Sequence, residues 1–203
     1  MSGRFTGIYA LVEPSGHLDP LAYVDALLRG GIRLVQIRAK IGIDVALLDT
    51  LVARIRAAGG TAIVNDDVAL ALRADGVHLG QEDAAELDLG AVREQLGGRI
   101  VGLSCGTPAE ARAVDPRRID YIGVGPIFAT PSKPDAGGPI GVNGVRVVVD
   151  ASPVPSAAIG GITLDGLPRV RESGAAMAAI ISALARGSDP EATARAFVQA
   201  WSA

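Results

Sequence analysis

The chain has 203 residues, of which 49% are hydrophobic and only 3% aromatic, so its core is built from Val, Ile, Leu and Ala, a mix that suits parallel strands covered on both faces. A formal charge of −3 and a pI of about 5.4, without any run of Lys or Arg, exclude the electrostatic footprint of a nucleic-acid or anionic-lipid binder. Cys105 as the single cysteine excludes an intrachain disulfide framework; no apolar run spans a bilayer and Met1–Thr6 shows no secretory leader, so a soluble cytoplasmic α/β domain is expected.

Short β-rich runs alternate with Ala/Leu/Arg-rich stretches from one end to the other. Strands are predicted over Gly7–Val12, Arg33–Ile37, Thr61–Val64, Gly76–Leu79, Arg99–Leu103, Ile119–Val124, Val154–Ile159 and Ala176–Ile181. Helices follow them, for example over Leu21–Arg29, Asp44–Ala58, Ala91–Leu96, Pro108–Val114 and Pro190–Trp201. Thr107-Pro108 and Asp189-Pro190 each read as an N-cap followed by a first helical residue. Strands alternating with helices pair in parallel through right-handed crossovers. Eight such units predict a single (β/α)8 TIM barrel over residues 1–203. An open doubly wound sheet would carry a Gly-rich fingerprint after its first strand, and Leu11-Val12-Glu13-Pro14-Ser15-Gly16 is not one. The longest irregular stretch, Ala129–Asn143, is rich in Pro and Gly; a loop that long in a compact domain is usually functional.

Catalytic groups of such a barrel sit at the C-terminal ends of its strands. After the second strand, Gln36, Arg38 and Lys40 share one face of an extended chain while Val35 and Ile37 share the other. Two cations and an amide turned toward the barrel axis require an anionic partner. The third strand runs into Asn65-Asp66-Asp67 and the fourth into Gly80-Gln81-Glu82-Asp83. A helix N-cap explains the first of these as well as function does. Adjacent strands nonetheless bring Asp66 and Asp83 to one rim, where two carboxylates repel unless a cation lies between them. Hard oxygen ligands beside phosphate-binding cations fit Mg²⁺, with Glu82 or Asp67 as alternative ligands. His78 reads as a core histidine and is left outside the site.

The fifth strand ends at Ser104, read either as a ligand donor or as a helix-entry cap. The sixth leads through Thr130 and Ser132 to Lys133, two hydroxyls and a lysine suited to a phosphate under a closing loop. The seventh and eighth end in Gly160-Gly161 and Ile181-Ser182, where barrels often bind phosphate with backbone N–H groups. Paired glycines let a phosphate approach the backbone closely. Two anion sites therefore emerge, one cationic and metal-assisted, the other neutral and backbone-based. Two phosphorylated small-molecule substrates would use such a pair. Homo-oligomerisation is left open.

Gln36-Ile37-Arg38-Ala39-Lys40, Val64-Asn65-Asp66-Asp67, Asp75-Gly76-Val77-His78-Leu79-Gly80-Gln81-Glu82-Asp83, Gly123-Val124-Gly125-Pro126-Ile127-Phe128 and Ala158-Ile159-Gly160-Gly161-Ile162 resemble the thiamine-phosphate synthase family in order and spacing, over essentially the whole chain. The resemblance implies that the diphosphate of a hydroxymethylpyrimidine meets Gln36, Arg38, Lys40, Asn65 and Lys133, with Mg²⁺ on Asp66 and Asp83 and Ser104 beside the pyrimidine. It implies a thiazole phosphate on Thr130, Ser132, Gly161, Ile181 and Ser182, and attack of the thiazole nitrogen on the pyrimidine carbocation left by pyrophosphate. That chemistry needs charge neutralisation and positioning rather than an enzyme nucleophile. The chain departs from the family where an acidic residue is usual and Ala39 stands, at Gly106-Thr107 in place of His-Thr, and over the Gly/Pro-rich Asp135–Val142. Weighed against the synthase are a thiazole tautomerase and a non-catalytic thiazole-phosphate-binding regulator of the same family, and a sugar-phosphate isomerase on a similar barrel. The Asn65, Asp66, Asp83 and Lys133 set favours the synthase.

Overall fold

The computed structural model describes residues 5–130 and 138–203. Its strands are β1 (Gly7–Val12), β2 (Leu34–Ile37), β3 (Thr61–Asn65), β4 (Gly76–Leu79), β5 (Ile100–Ser104), β6 (Tyr121–Val124), β7 (Ser156–Ile159) and β8 (Met177–Ile180). They close in chain order into a barrel, and every neighbouring pair is parallel. The predicted eight-stranded barrel is therefore the observed fold.

Strand periodicity sorts the side chains into two layers. Residues turned outward, such as Ile8, Ala10 and Val12 of β1 with Val35 and Ile37 of β2, join the large cluster that packs the helices onto the barrel. Those turned inward, Tyr9, Leu11, Leu34, Ile63, Ile100, Tyr121, Ala157, Met177 and Ala179, fill the barrel interior. β3 and β5 each run one residue past their predicted ends, to Asn65 and Ser104. Both polar side chains thus stay in regular register with the inward positions two residues earlier. β7 begins later than predicted, after Pro155, whose imide nitrogen cannot donate to the ladder although its carbonyl accepts from Ile122 N at 2.9 Å.

The helices are α1 (Pro20–Arg29), α2 (Val45–Ala57), α3 (Val68–Ala71), α4 (Gln81–Ala85), α5 (Leu89–Leu96), α6 (Pro108–Ala113), α7 (Gly141–Ala151), α8 (Leu167–Glu172), α9 (Ser182–Ala185) and α10 (Pro190–Ser202). Asp19, Asp44, Asp67, Asp88 and Asp189 cap α1, α2, α3, α5 and α10 with their carboxylates, each worth about 1 kcal/mol. Thr107 and Glu110 form a full capping box on α6, as the Thr-Pro start predicts in part. α10 packs on α1, where Gly30 leaves no room for a side chain: a Cβ there would lie 2.5 Å from that of Ala194. No helix among the described residues is long and apolar enough to cross a membrane.

Candidate active site at the barrel mouth

A cleft of about 420 Å³ opens at the C-terminal ends of the strands, where a barrel of this kind carries its chemistry. On one side lie Gln36, Arg38, Asn65, Asp66 and Asp83; Ser104 sits on the floor; Gly161, Ile181 and Ser182 lie with Thr130 on the other side.

The acidic side is organised around a glycine. Asp66 follows the last residue of β3 and has φ 61°, a left-handed conformation that only short polar residues adopt at modest cost. Its Oδ1 accepts from Gly80 N at 2.8 Å, its backbone N donates to His78 O at 2.9 Å, and its Oδ2 accepts from Asn65 Nδ2. Gly80 is the N-cap of α4, which carries Asp83 in its first turn. A Cβ on Gly80 would lie 2.7 Å from Asp83 Oδ2 and 3.6 Å from Asp66 Oδ1. The two carboxylates therefore flank a gap that exists because residue 80 has no side chain. Burial, and then the charge of Asp83, push the Asp66 carboxyl above the usual aspartate range, while Arg38 pulls it down. A divalent cation in the gap would relieve that repulsion. Among the described residues no group of three or more acidic, His or Cys side chains converges on one point. Two carboxylates completed by substrate phosphates and water suit Mg²⁺ rather than an all-protein cage. Asp67, an alternative ligand by sequence, is committed as the α3 cap, accepting from Leu70 N at 2.8 Å; Glu82 lines the cleft beside Asp83.

Arg38 reaches the same end. Its Nη1 donates to Glu13 Oε1 at 2.6 Å, and its side chain is only 14% exposed. Its ion-pair partner is thus a residue of β1's C-terminal loop that sequence reasoning passed over. Lys40 does not converge with the others. β2 ends at Ile37, and Lys40 lies in the exposed turn beyond it, outside the lining of the cleft. The extended spacing that grouped Gln36, Arg38 and Lys40 holds only as far as the strand does.

At the opposite side Gly160 and Gly161 have φ 104° and 63°. Their missing side chains make room for the preceding loop: a Cβ on Gly160 would meet Pro126 Cβ at 2.6 Å, and one on Gly161 the Ala129 carbonyl oxygen at 2.3 Å. Both glycines line the cleft, and loop packing with a left-handed backbone gives each a reason for glycine beyond the close approach of a phosphate. Ser182 opens α9 directly after β8 and lines the cleft beside Ile181. Ser132 and Lys133 lie outside the described residues.

The floor holds what sequence reasoning missed. His78, inward-facing on β4, lines the cleft. Its Nδ1 meets the Tyr121 hydroxyl at 2.9 Å and its Nε2 meets Ser104 Oγ at 3.1 Å. Tyr121 OH lies 2.8 Å from Tyr9 OH, which accepts from Gln36 Nε2 at 2.8 Å. His78 is a well-satisfied histidine, as expected of a core residue, yet it belongs to the site. At the fifth loop, Gly106 N donates to Glu110 Oε2 at 2.7 Å, so the short Gly106-Thr107 segment is held by the α6 capping box. Cys105 lines the cleft next to it, and burial pushes its thiol up to about 11, leaving it a neutral filler.

Residues 8–184 match the family model described as thiamine monophosphate synthase, TMP-TENI. Over 198 residues the chain is 44% identical to a thiamine biosynthesis bifunctional protein ThiM/ThiE of Symbiobacterium thermophilum, covering 94% of this chain and 40% of that longer protein. Over 181 residues it is 44% identical to a thiamine-phosphate synthase of Staphylococcus carnosus, covering 85% of this chain and 84% of the relative. Among solved structures, a thiamine phosphate pyrophosphorylase from Pyrococcus furiosus has a TM-score of 0.86 at 28% identity, covering 98% of this chain and 96% of that one.

Proposed function

The chain belongs to the thiamine monophosphate synthase family, transferases that join pyrimidine and thiazole moieties with release of pyrophosphate, and we propose that it does so at the barrel mouth with Mg²⁺ held by Asp66 and Asp83. The substrates of this reading are 4-amino-2-methyl-5-(diphosphooxymethyl)pyrimidine and 4-methyl-5-(2-phosphooxyethyl)thiazole. The observation that carries it is the carboxylate gap over Gly80, with Arg38 and Asn65 lining the same cleft.

Arg38 and the Asn65 amide bind and orient the diphosphate, and Lys133 is assigned to it from its place in the sequence. Asp66 and Asp83 would hold the cation beside the diphosphate. Mg²⁺ supplies charge neutralisation for the departing pyrophosphate. Gly161, Ile181, Ser182 and Thr130 take the thiazole phosphate at the opposite side, Ser132 is assigned to it from its place in the sequence, and Ser104 lies beneath the pyrimidine. Holding the thiazole nitrogen against the carbon that loses pyrophosphate converts an encounter of two substrates into a positioned step. Carbon–oxygen cleavage puts the electron pair on pyrophosphate, and the nitrogen lone pair forms the new bond, so no protein nucleophile is required.

The test is pyrophosphate release from the purified protein given both substrates, with and without Mg²⁺. Release that requires both substrates and metal, with thiamine phosphate as product, is the expected result. Metal-independent isomerisation of the thiazole, or binding of thiazole phosphate without any release, would replace this reading with a tautomerase or a regulator.

A further inference from the structure

Five side chains on five strands form one hydrogen-bonded chain across the cleft floor, running Gln36, Tyr9, Tyr121, His78, Ser104 with contacts between 2.8 and 3.1 Å. Each phenol has a single hydrogen to give. Gln36 Nε2 donates to Tyr9, and of the two orders that the Tyr9–Tyr121 contact allows, the one that leaves the buried Tyr9 hydrogen partnered sends it to Tyr121 and the Tyr121 hydrogen to His78 Nδ1. A neutral imidazole that accepts at Nδ1 carries its hydrogen on Nε2, and Nε2 faces Ser104 Oγ. Ser104 therefore accepts from His78, and its own hydrogen is directed into the cleft that it lines.

Two features mark the chain as built rather than incidental. Tyr9 and Tyr121 are 1% and 0% exposed, and burial holds both phenols well above the usual tyrosine range, so neither loses the hydrogen that sets the order. Space for it comes from two strand-interior glycines, which weaken a strand unless something needs the room. A Cβ on Gly102 would lie 2.3 Å from the Tyr121 ring, and one on Gly123 would lie 3.0 Å from His78 Cε1.

We infer that Gln36, Tyr9, Tyr121 and His78 form a proton-ordered positioning chain that locks His78 as its Nε2–H tautomer and makes Ser104 a hydrogen-bond donor to the substrate. The substrate atom over Ser104 is then an acceptor, such as an unprotonated ring nitrogen, and not a donor amine. The identity of that substrate as a pyrimidine rests on the synthase reading; the tautomer does not.

Nitrogen-15 NMR of the histidine rings in the substrate-free protein tests the order directly. The chain has two histidines, and a His17→Asn variant identifies the His78 signals. Protonated Nε2 with an accepting Nδ1 is expected; a protonated Nδ1 means that the chain runs the other way and overturns the inference. Tyr121→Phe then removes one link without touching the cleft lining. It should raise KM for the pyrimidine diphosphate about tenfold, the scale of one hydrogen bond, leave KM for the thiazole phosphate unchanged, and add nothing in a Ser104→Ala background. An equal loss in both backgrounds, or a matching loss toward both substrates, would make Tyr121 merely structural and overturn the proposal. Tyr9→Phe, which breaks the chain one link earlier, stands in if Tyr121→Phe does not fold. A wild-type protein inactive with both substrates would sink the synthase reading while the NMR result still decides the tautomer.

Discussion

A methyl group on Gly80 tests the carboxylate gap without deleting either acid. Gly80 has φ −66° and ψ 163°, values that alanine adopts without strain. The new Cβ of Gly80→Ala would nevertheless stand 2.7 Å from Asp83 Oδ2 and 3.6 Å from Asp66 Oδ1. A relaxed carbon–oxygen contact is about 3.3 Å or longer, so the Asp83 carboxylate must swing away by roughly 0.6 Å or more. Asp83 is exposed, and the swing costs the fold little. Alanine is the poorer N-cap by about 1 kcal/mol at most, and stiffening the unfolded chain offsets about 0.4–1 kcal/mol of that. The melting temperature should stay within about 4 °C of wild type. The proposed cation site, by contrast, would lose its geometry, and disturbing the surroundings of a metal ligand typically weakens affinity about 10–100-fold. Titrating Mg²⁺ in the pyrophosphate-release assay should therefore move the half-saturation point up at least about tenfold. The thiazole-phosphate KM at saturating metal should not change. Normal turnover with an unmoved Mg²⁺ midpoint would refute the assignment of the gap to the metal.

Asp66→Asn should abolish most turnover while slightly stabilising the substrate-free protein. The amide still tolerates the left-handed backbone, its oxygen still accepts from Gly80 N–H, and Asn65 keeps its bond by turning its amide over to present its oxygen to the new N–H. The folded-state carboxyl titrates above its ordinary value, so the stability it contributes is full below about pH 3.9 and is lost as pH rises through the raised value. Removing the charge should thus raise the stability at neutral pH, by no more than about 1 kcal/mol in a half-exposed site, with the advantage gone below the aspartate range. Thermal melts of both proteins across pH 3–8 check the sign; an advantage that grows on acidification would contradict it. Arg38→Ala should cost at least about tenfold in kcat/KM for the diphosphate, on the scale of a charge-assisted hydrogen bond. Lys40→Ala should stay within about threefold of wild type, because its exposed turn carries it away from the cleft, and equal losses in the two variants would contradict that placement. Gly161→Ala, with φ 63° and a Cβ driven to 2.3 Å from the Ala129 carbonyl oxygen, should lose about 1–3 kcal/mol, read as a melting temperature several degrees lower.

The barrel was legible because its information is local. Val35 and Ile37 outward with Gln36 inward is a period-two pattern, and the structure keeps it. Asp189 before Pro190 reads as a cap and is one, and Asp19, Asp44, Asp67 and Asp88 cap their helices in the same way. Asn65-Asp66-Asp67 shows where local reading stops. Of the two adjacent acids Asp67 caps α3, while Asp66 faces the cleft because it turns left-handed and takes Gly80 N–H from the next strand's loop, and that partner lies 14 residues away. Lys40 fails for the opposite reason: the pattern was extended past the point where β2 ends and the chain turns toward Gly42 at φ 86°.

His78 was the larger loss, and the cause is sequence distance. Nothing near position 78 marks it, since its hydrogen-bond partners Tyr121 and Ser104 are 43 and 26 residues away and Tyr9 stands 112 residues from Tyr121. A signal did exist in Gly102 and Gly123, small residues at inward positions of strands that otherwise read as bulky and aliphatic. Glycine there means that a neighbouring ring needs the space. The same reasoning explains the division of labour across the cleft. On the proposed reading a diphosphate has to be met by charge, and the acids and Arg38 stand at loop ends where desolvating them is affordable. The ring has to be met by direction, and neutral groups fixed in register on the strands can be buried, provided that every hydrogen among them has a partner. Rim charge and floor order are thus two answers to one constraint, the cost of taking polar groups out of water.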